Sequence, residues 1–392
     1  MKTFFKKSIA VLSAILMIAG VFSLSGCGNK GTSYTANNTE YYIGVSGPLT
    51  GGAAVYGIAV KNGSQLAVDE INAAGGINGV KIKFEMTDDA HKAENVSTNY
   101  TTMLEAGMQV SLGCVTTAPC LEFKTLSKED NLFFLTPSAS ADSVPEYDNG
   151  YQMCFADGNQ GAVAASYVNG LFVGQTIGML YRADDPYSTG IREQFKANID
   201  KSITVVEASF TGDTVASFAS QINLLKNCKF IFMPIYSAPA AQFMTEARTE
   251  IAADAVYYGC DGLDGIDTSV AGFDIKTIPQ EVSFLSQFNS KATEGKSYEF
   301  IQKYVAKYGT DTLNQFGASA YDCVYALVGA MKQAGDKISV TSTPSEICEV
   351  LKGIFNGGYT FSGVTGENIK WESNGFVNKE AVKYVVKESD AK

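Results

Sequence analysis

This sequence predicts an α/β fold of two doubly wound parallel-sheet lobes, on three observations. From Tyr41 onward, short β-branched or aromatic runs alternate with amphipathic stretches, the pattern of parallel strands with crossover helices on both faces. The alternation breaks at "GYQMCFADGNQG" (150–161) and then restarts. The chain of 392 residues is also longer than one hydrophobic core usually sustains, which favours two domains.

In the first run, "YYIGVSGPLT" (41–50) is a strand. "YGIAVKNGSQLAVDEINAAGG" (56–76) is a helix whose stripe Ala59, Gly63, Ala67, Ile71 and Ala74 recurs at helical spacing before the Gly75-Gly76 stop. "VKIKFEMTDDA" (80–90), "MQVSLGCV" (108–115) and "NLFFLTP" (131–137) are strands; "ENVSTNYTTMLEAG" (94–107) and "PCLEFKTLSKED" (119–130) are the helices between them. The second run repeats the scheme. "TIGMLYR" (176–182), "ITVVEASF" (203–210), "KFIFMPI" (229–235) and "AVYYGC" (255–260) are strands, separated by helices at 188–200, 214–227 and 238–252. Then come a strand at 281–288 and helices at 296–309, 317–335 and 343–355, the last with Thr343 and Pro344 placed as N-cap and first helical residue. The tail, 366–388, reads as a turn between two strands.

The N-terminus carries a different message. Lys2, Lys6 and Lys7 precede an apolar stretch from Ile9 to Leu24 and small residues ending at Cys27, the layout of an export signal over residues 1–26. "LSGC" resembles a bacterial lipobox, which makes Cys27 the expected lipidation site. Residues 27–40, rich in Gly, Ser, Thr and Asn, read as a flexible tether. Removing residues 1–26 takes the formal net charge from −11 to −14, which argues against nucleic acid or an anionic bilayer surface as partner. The remaining cysteines are seven, form no CxxC pair and sit mostly in apolar runs, so they read as buried small hydrophobes.

Doubly wound sheets bind small molecules beyond the carboxyl ends of their strands, where helix N-termini present free N–H groups. Three strand ends carry suitable residues. Thr116 and Thr117 precede a helix whose dipole favours an anion, or they simply cap it. Ser138 and Ser140 follow the strand at 131–137 and suit either a ligand or a polar turn. Asp261 follows "YYGC", as a ligand carboxylate or as an N-cap. Other chemistry is excluded more directly. The spacing of Asp261, Asp264 and Asp267 fails the EF-hand pattern. His91 is the only histidine, which removes Ser-His-Asp and Cys-His triads and multi-histidine zinc sites. "GKS" at 295–297 lacks the earlier glycine of a P-loop and reads as a helix start.

Taken in order, "IGVSGPLTGGAAVYG", "AVDEINAAGGINGVKIKF", "TDDA", "LTPSASAD", "DDPYSTG" and "FMPIYSAPAAQFMTEA" resemble the branched-chain amino acid binding proteins of ABC importers. These have the type I solute-binding fold, a Venus-flytrap clamp of two hinged lobes. The resemblance covers nearly all of the chain from Tyr41 on. It implies a cleft that closes on one amino acid, with the ligand carboxylate near Thr116 and Thr117. The ligand ammonium is then shared between Ser138, Ser140 and Asp261, and Tyr56, Tyr187 and Tyr236 supply aromatic walls. It also implies that a disulfide found in some relatives is absent, because His91 and Thr116 occupy its two positions.

The expected organisation is therefore lobe 1 at 41–156 plus 286–363 and lobe 2 at 157–285 plus 364–392, joined by three crossover strands. The expected function is capture of a branched-chain, apolar or aromatic amino acid by a monomeric, non-enzymatic protein. It would be lipid-anchored on the outer face of a bacterial cell membrane and would deliver its ligand to an ABC permease and its ATPase. No cofactor, metal or nucleic acid is expected. The alternatives are a sensory receptor built on the same clamp and a binder of a small amide or urea. The physical case for an amino acid is charge pairing: a buried zwitterion needs both ends matched, whereas an uncharged amide leaves Asp261 buried without a cation.

Overall fold

The computed structural model describes residues 37–391 except Ser269. The expected signal peptide, Cys27 and most of the tether lie outside the described residues.

The first part of the chain runs β1 (Tyr41–Gly47), α1 (Ala54–Ala73), β2 (Ile82–Asp88), α2 (Ala93–Glu105), β3 (Val110–Cys114), α3 (Thr117–Glu129), β4 (Phe134–Thr136) and β5 (Gly150–Gln152). Its strands form a parallel sheet in the order β2-β1-β3-β4-β5. The second part runs α4 (Asp157–Leu171), β6 (Thr176–Arg182), α5 (Pro186–Asn198), β7 (Thr204–Phe210), α6 (Ala219–Leu225), β8 (Phe230–Met233), α7 (Ser237–Ala247), β9 (Val256–Gly259) and β10 (Glu281–Ser286). The chain then returns to the first sheet with α8 (Gly295–Tyr308), α9 (Gln315–Ala334) and α10 (Pro344–Asn356). It ends in β11 (Thr360–Phe361), β12 (Ile369–Lys370) and β13 (Val382–Lys387). The second sheet has the order β13-β10-β9-β8-β6-β7, parallel except for β13, which pairs antiparallel with β10.

Each sheet buries a core on both faces, which is why its central strands read as nearly continuous apolar runs. On the first sheet, α1, α8, α9 and α10 cover one face through Val60, Ile71, Phe300, Val324 and Leu351. Val96, Tyr100, Met103 and Phe123 of α2 and α3 cover the other. On the second sheet, Ala164, Val168, Ile191 and Phe195 of α4 and α5 lie on one face, and Ile222, Ala240 and Met244 of α6 and α7 on the other. The stripe on α1 buries Ala59, Gly63, Ala67 and Ile71. It lies against α9 so closely that a Cβ on Gly63 would stand 2.0 Å from the Gly317 carbonyl oxygen. Thr343 closes α10 with a full capping box to Glu346, the arrangement its sequence predicts. The seven cysteines from Cys114 to Cys348 are buried thiols, and Gly295 of "GKS" opens α8.

Three features differ from the sequence expectation. β5 and α4 are additional elements. α4 carries Gly158, Gly161 and Gly170 and buries polar Asp157 and Gln160 beside Gly161, Ala164, Ala165 and Val168, so both its helix propensity and its apolar stripe are weak. Gly161 is there for contact: a Cβ would meet Gln194 Cβ at 2.6 Å and Ile191 O at 2.7 Å on α5. The tail has the expected turn, closed by an antiparallel bridge between Trp371 and Val377, but its two strands belong to different sheets: β12 pairs with β11, and β13 joins the second sheet. Finally, the lobe boundary expected at 363/364 falls later, because Val364, Ile369, Trp371 and Val377 belong to the first core. Trp371 is anchored there by its indole N–H, which donates to Gln152 O at 2.7 Å, and by stacking on Tyr359. The crossing to the second sheet therefore follows Val377. Beside it, buried Lys379 donates to Thr365 Oγ1 (2.6 Å), whose own hydroxyl donates to Asp322 Oδ2 (2.5 Å).

Candidate functional site

β9 ends at Gly259, and Asp261 opens the short turn Asp261–Leu263. Its side chain is held rigidly. Oδ1 accepts from Tyr187 Oη at 2.7 Å and Gln160 Nε2 at 3.0 Å, while its own backbone N–H donates to Gln160 Oε1 at 2.9 Å. Tyr187 comes from the first turn of α5 and also accepts from Gly262 N at 2.9 Å. Residue 262 must be glycine for this, since a Cβ would sit 2.7 Å from the Tyr187 oxygen. Asp261 is 2% exposed, and burial lifts its pKa to about 6. Among the described residues no Lys, Arg or His forms an ion pair with it.

The opposite wall is built at the end of β3. Thr116 stands at the N-cap position of α3 and Thr117 is its first residue, yet no side chain caps the helix. Thr116 Oγ1 instead lies 2.9 Å from His91 Nδ1, so a hydrogen bond occupies the two positions where a disulfide was expected to be absent. Thr117 Oγ1 is buried and has no partner. A hydroxyl left unsatisfied beside the free N–H groups of a helix start is positioned for an anion.

The eight residues singled out from the sequence, Tyr56, Thr116, Thr117, Ser138, Ser140, Tyr187, Tyr236 and Asp261, line one cavity between the two sheets. Val115, Gly262 and Phe316 complete it. Tyr187 and Tyr236 stack with centroids 4.8 Å apart, Tyr56 lies 5.3 Å from Tyr236, and Phe316 meets Tyr56 edge-on at 5.1 Å. The cavity measures about 10 Å³, the space of a single water. Tyr56 closes it. Its hydroxyl, carried on α1, donates to Gly262 O (2.5 Å), accepts from Ser237 N (2.9 Å) and lies 2.9 Å from Ser237 Oγ. Asp264 Oδ2 makes a second bridge by accepting from Gln315 N at 2.8 Å, and burial lifts the Asp264 pKa to about 7. An amino acid enters this site only if these bridges part. Tyr236 also forms a wall of a neighbouring cavity of about 300 Å³, lined by Ala53, His91, Arg182, Asp185 and Ile235.

Several site residues escape a sequence reading. Phe316 follows the Asn314 cap of α9, whose Oδ1 accepts from Phe316 N and Gly317 N, and looks like an ordinary core position. Asp157 and Gln160 sit in the first turn of α4. Their one sequence signal is an acid and an amide three residues apart, and so on one helix face, just after the break in alternation. The described residues hold no group of three or more His, Cys, Asp or Glu able to bind a metal ion.

Comparisons with known proteins agree with this architecture. The Leu/Ile/Val-binding protein BraC3 of Rhizobium johnstonii is 30% identical over 244 residues, covering 60% of this chain and 65% of BraC3, just under two thirds of that relative. The leucine-, isoleucine-, valine-, threonine-, and alanine-binding protein of Pseudomonas aeruginosa is 24% identical over 82% of this chain and 84% of its own. Among solved structures, the branched-chain amino acid transporter substrate binding protein LivJ of Streptococcus pneumoniae, in complex with isoleucine, superposes with a TM-score of 0.76. That match has 23% identity over 90% of this chain and 97% of LivJ, a likeness of fold. The periplasmic binding protein family model matches residues 40–389, and this chain belongs to that family.

Proposed function

We propose that this protein is an extracytoplasmic receptor, tethered to the cell membrane by a lipid on Cys27, which captures a branched-chain, apolar or aromatic amino acid and presents it to an ABC permease. One observation carries the ligand class. The cavity has a buried carboxylate without a cation on one wall, Asp261, and a buried hydroxyl without a partner at a helix start on the other, Thr117. A zwitterion answers both needs at once: its ammonium pairs with Asp261, and its carboxylate takes the Thr117 hydroxyl and the helix N–H groups. Tyr56, Tyr187, Tyr236 and Phe316 offer the side chain an aromatic surface. The relatives named for leucine, isoleucine and valine support the same class. The export signal and the "LSGC" sequence support the anchor, and the family's role in import supports the permease.

A thermal-shift panel tests the reading, with the protein lacking residues 1–27 and the twenty amino acids, short amides and urea as ligands. At one hundred times its Kd a true ligand stabilises by about 2.7 kcal/mol. Apolar amino acids are expected to shift the melt and amides to leave it unmoved. A shift with amides or urea alone would mean that Asp261 does not meet an ammonium.

A further inference from the structure

Asp157 at the start of α4 and Asp261 after β9 are joined by one amide. Gln160 Nε2 lies 3.3 Å from Asp157 Oδ1 and 3.0 Å from Asp261 Oδ1. Both aspartates are 2% exposed. Asp157 Oδ2 has no hydrogen-bond partner and faces the backbone of α5, where a Cβ on Gly190 would stand 3.6 Å away. Asp157 does not line the cavity; it touches the wall through its backbone N–H, which donates to Ser140 O at 2.8 Å, and reaches Asp261 through Gln160.

Among the described residues no cation pairs with either acid. The titratable groups that face them are Tyr56 on α1, Asp142 from the loop after β4, Cys154 after β5, Asp185 and Tyr187 at the start of α5, Tyr236 before α7 and Cys260 after β9. Two bases act on neighbours of the pair and are engaged elsewhere: Lys379, which acts on Cys154, donates to Thr365, and Arg182, which acts on Asp185, pairs with Asp184 and Asp213. Two buried carboxylates so placed each disfavour the ionised form of the other. Burial, followed by the neighbouring Asp261 charge, pushes Asp157 well above the carboxylate range.

Building on the ammonium reading above, we propose that Asp157 is a second acid of the site: the Asp157–Asp261 pair holds one proton before capture and releases it when an ammonium ligand binds. The carboxyl O–H bond breaks, the proton passes to solvent, and the N–H donors of the ligand supply the positive charge that the pair lacked. No electrons move. The bound state holds fewer protons than the free state, so affinity rises with pH through the range in which the free pair titrates.

Isothermal titration calorimetry with L-leucine as probe tests this, repeated at each pH in phosphate and in imidazole, whose heats of ionisation differ. The wild type is expected to release close to one proton per leucine between pH 6 and 7, and to lose affinity by about tenfold as the pH falls by one unit across that range. Asp157→Asn is expected to bind leucine at pH 7 without that release. Binding heats that do not depend on buffer from pH 5.5 to 7.5 overturn the proposal while leaving the ammonium reading intact, and so does an Asp157→Asn protein that releases as many protons as the wild type. Should that variant fail to fold, the wild-type buffer series still decides. If neither leucine nor any other α-amino acid binds, the ammonium reading falls and this inference with it.

Discussion

Asp261→Asn replaces one carboxylate oxygen with an amide and leaves the other in place, so the bonds from Tyr187 and Gln160 to Oδ1 survive. Two effects of opposite sign follow. Burial raises the Asp261 pKa from 3.8 to about 6 in the folded chain. For an acid this means that the folded state is most stable below the unfolded pKa and loses stability as pH rises towards the folded pKa, with the full loss present above it. A shift of about two units corresponds to about 3 kcal/mol of destabilisation at pH 7.5. The asparagine variant escapes that cost, so without ligand it is expected to be more stable than the wild type by up to that amount at pH 7.5, and equal to it near pH 3.5. Ligand binding moves the other way. Removing one partner of a buried charge pair costs about 2–5 kcal/mol, a rise in Kd of roughly 30- to 5,000-fold. Urea unfolding at the two pH values measures the first effect, and calorimetry with the amino acid found by the thermal panel measures the second. A variant that binds that amino acid as the wild type does would refute the charge-pairing argument; one that is less stable at pH 7.5 would refute the buried-charge argument.

Thr117→Val removes a hydroxyl that has no partner in the structure. The melting point without ligand should hold or rise, while affinity falls by about 1.5–3 kcal/mol, the value of a hydrogen bond to a charged group; unchanged affinity would place the ligand carboxylate elsewhere. Tyr56→Phe cuts the link from α1 to Gly262 and Ser237. It should shift the lobes towards the open state by about 1–3 kcal/mol, visible as a longer distance between dyes on the two lobes, and an unaltered distance distribution would show that Tyr56 is no latch. Gly63→Ala forces a Cβ onto the Gly317 carbonyl and should cost about 1–3 kcal/mol or more in chemical unfolding; wild-type stability would mean that α1 and α9 can move apart freely.

Much of this was legible in the sequence for physical reasons. The central strands are buried on both faces, so 230–233 and 256–259 are unbroken runs of apolar and aromatic residues with glycine, and 41–47 and 110–114 are interrupted only by Ser46 and Ser111. The helices of the first sheet carry clear stripes, as α1 does with Ala59, Gly63, Ala67 and Ile71. Thr117, Ser138 and Asp261 stood out because polar residues directly after such runs must lie at strand ends, where this kind of sheet binds ligands. α4 was not legible. Its contact with α5 is made by backbone approach at Gly161, and small residues leave no apolar periodicity to read.

The local pattern of the chain by itself determined most of the elements, the parallel run of the strands up to β10 and the strand ends that carry the polar residues, because burial on two faces writes itself into neighbouring residues. Tertiary structure alone decided how those ends meet. Tyr56 reaches Gly262 across 206 positions, and Gln160 reaches Asp261 across 101. The passage of Trp371 into the first core likewise depends on Gln152, 219 positions away. Contacts of that separation depend on where two sheets come to rest, and no periodicity within a single segment encodes that.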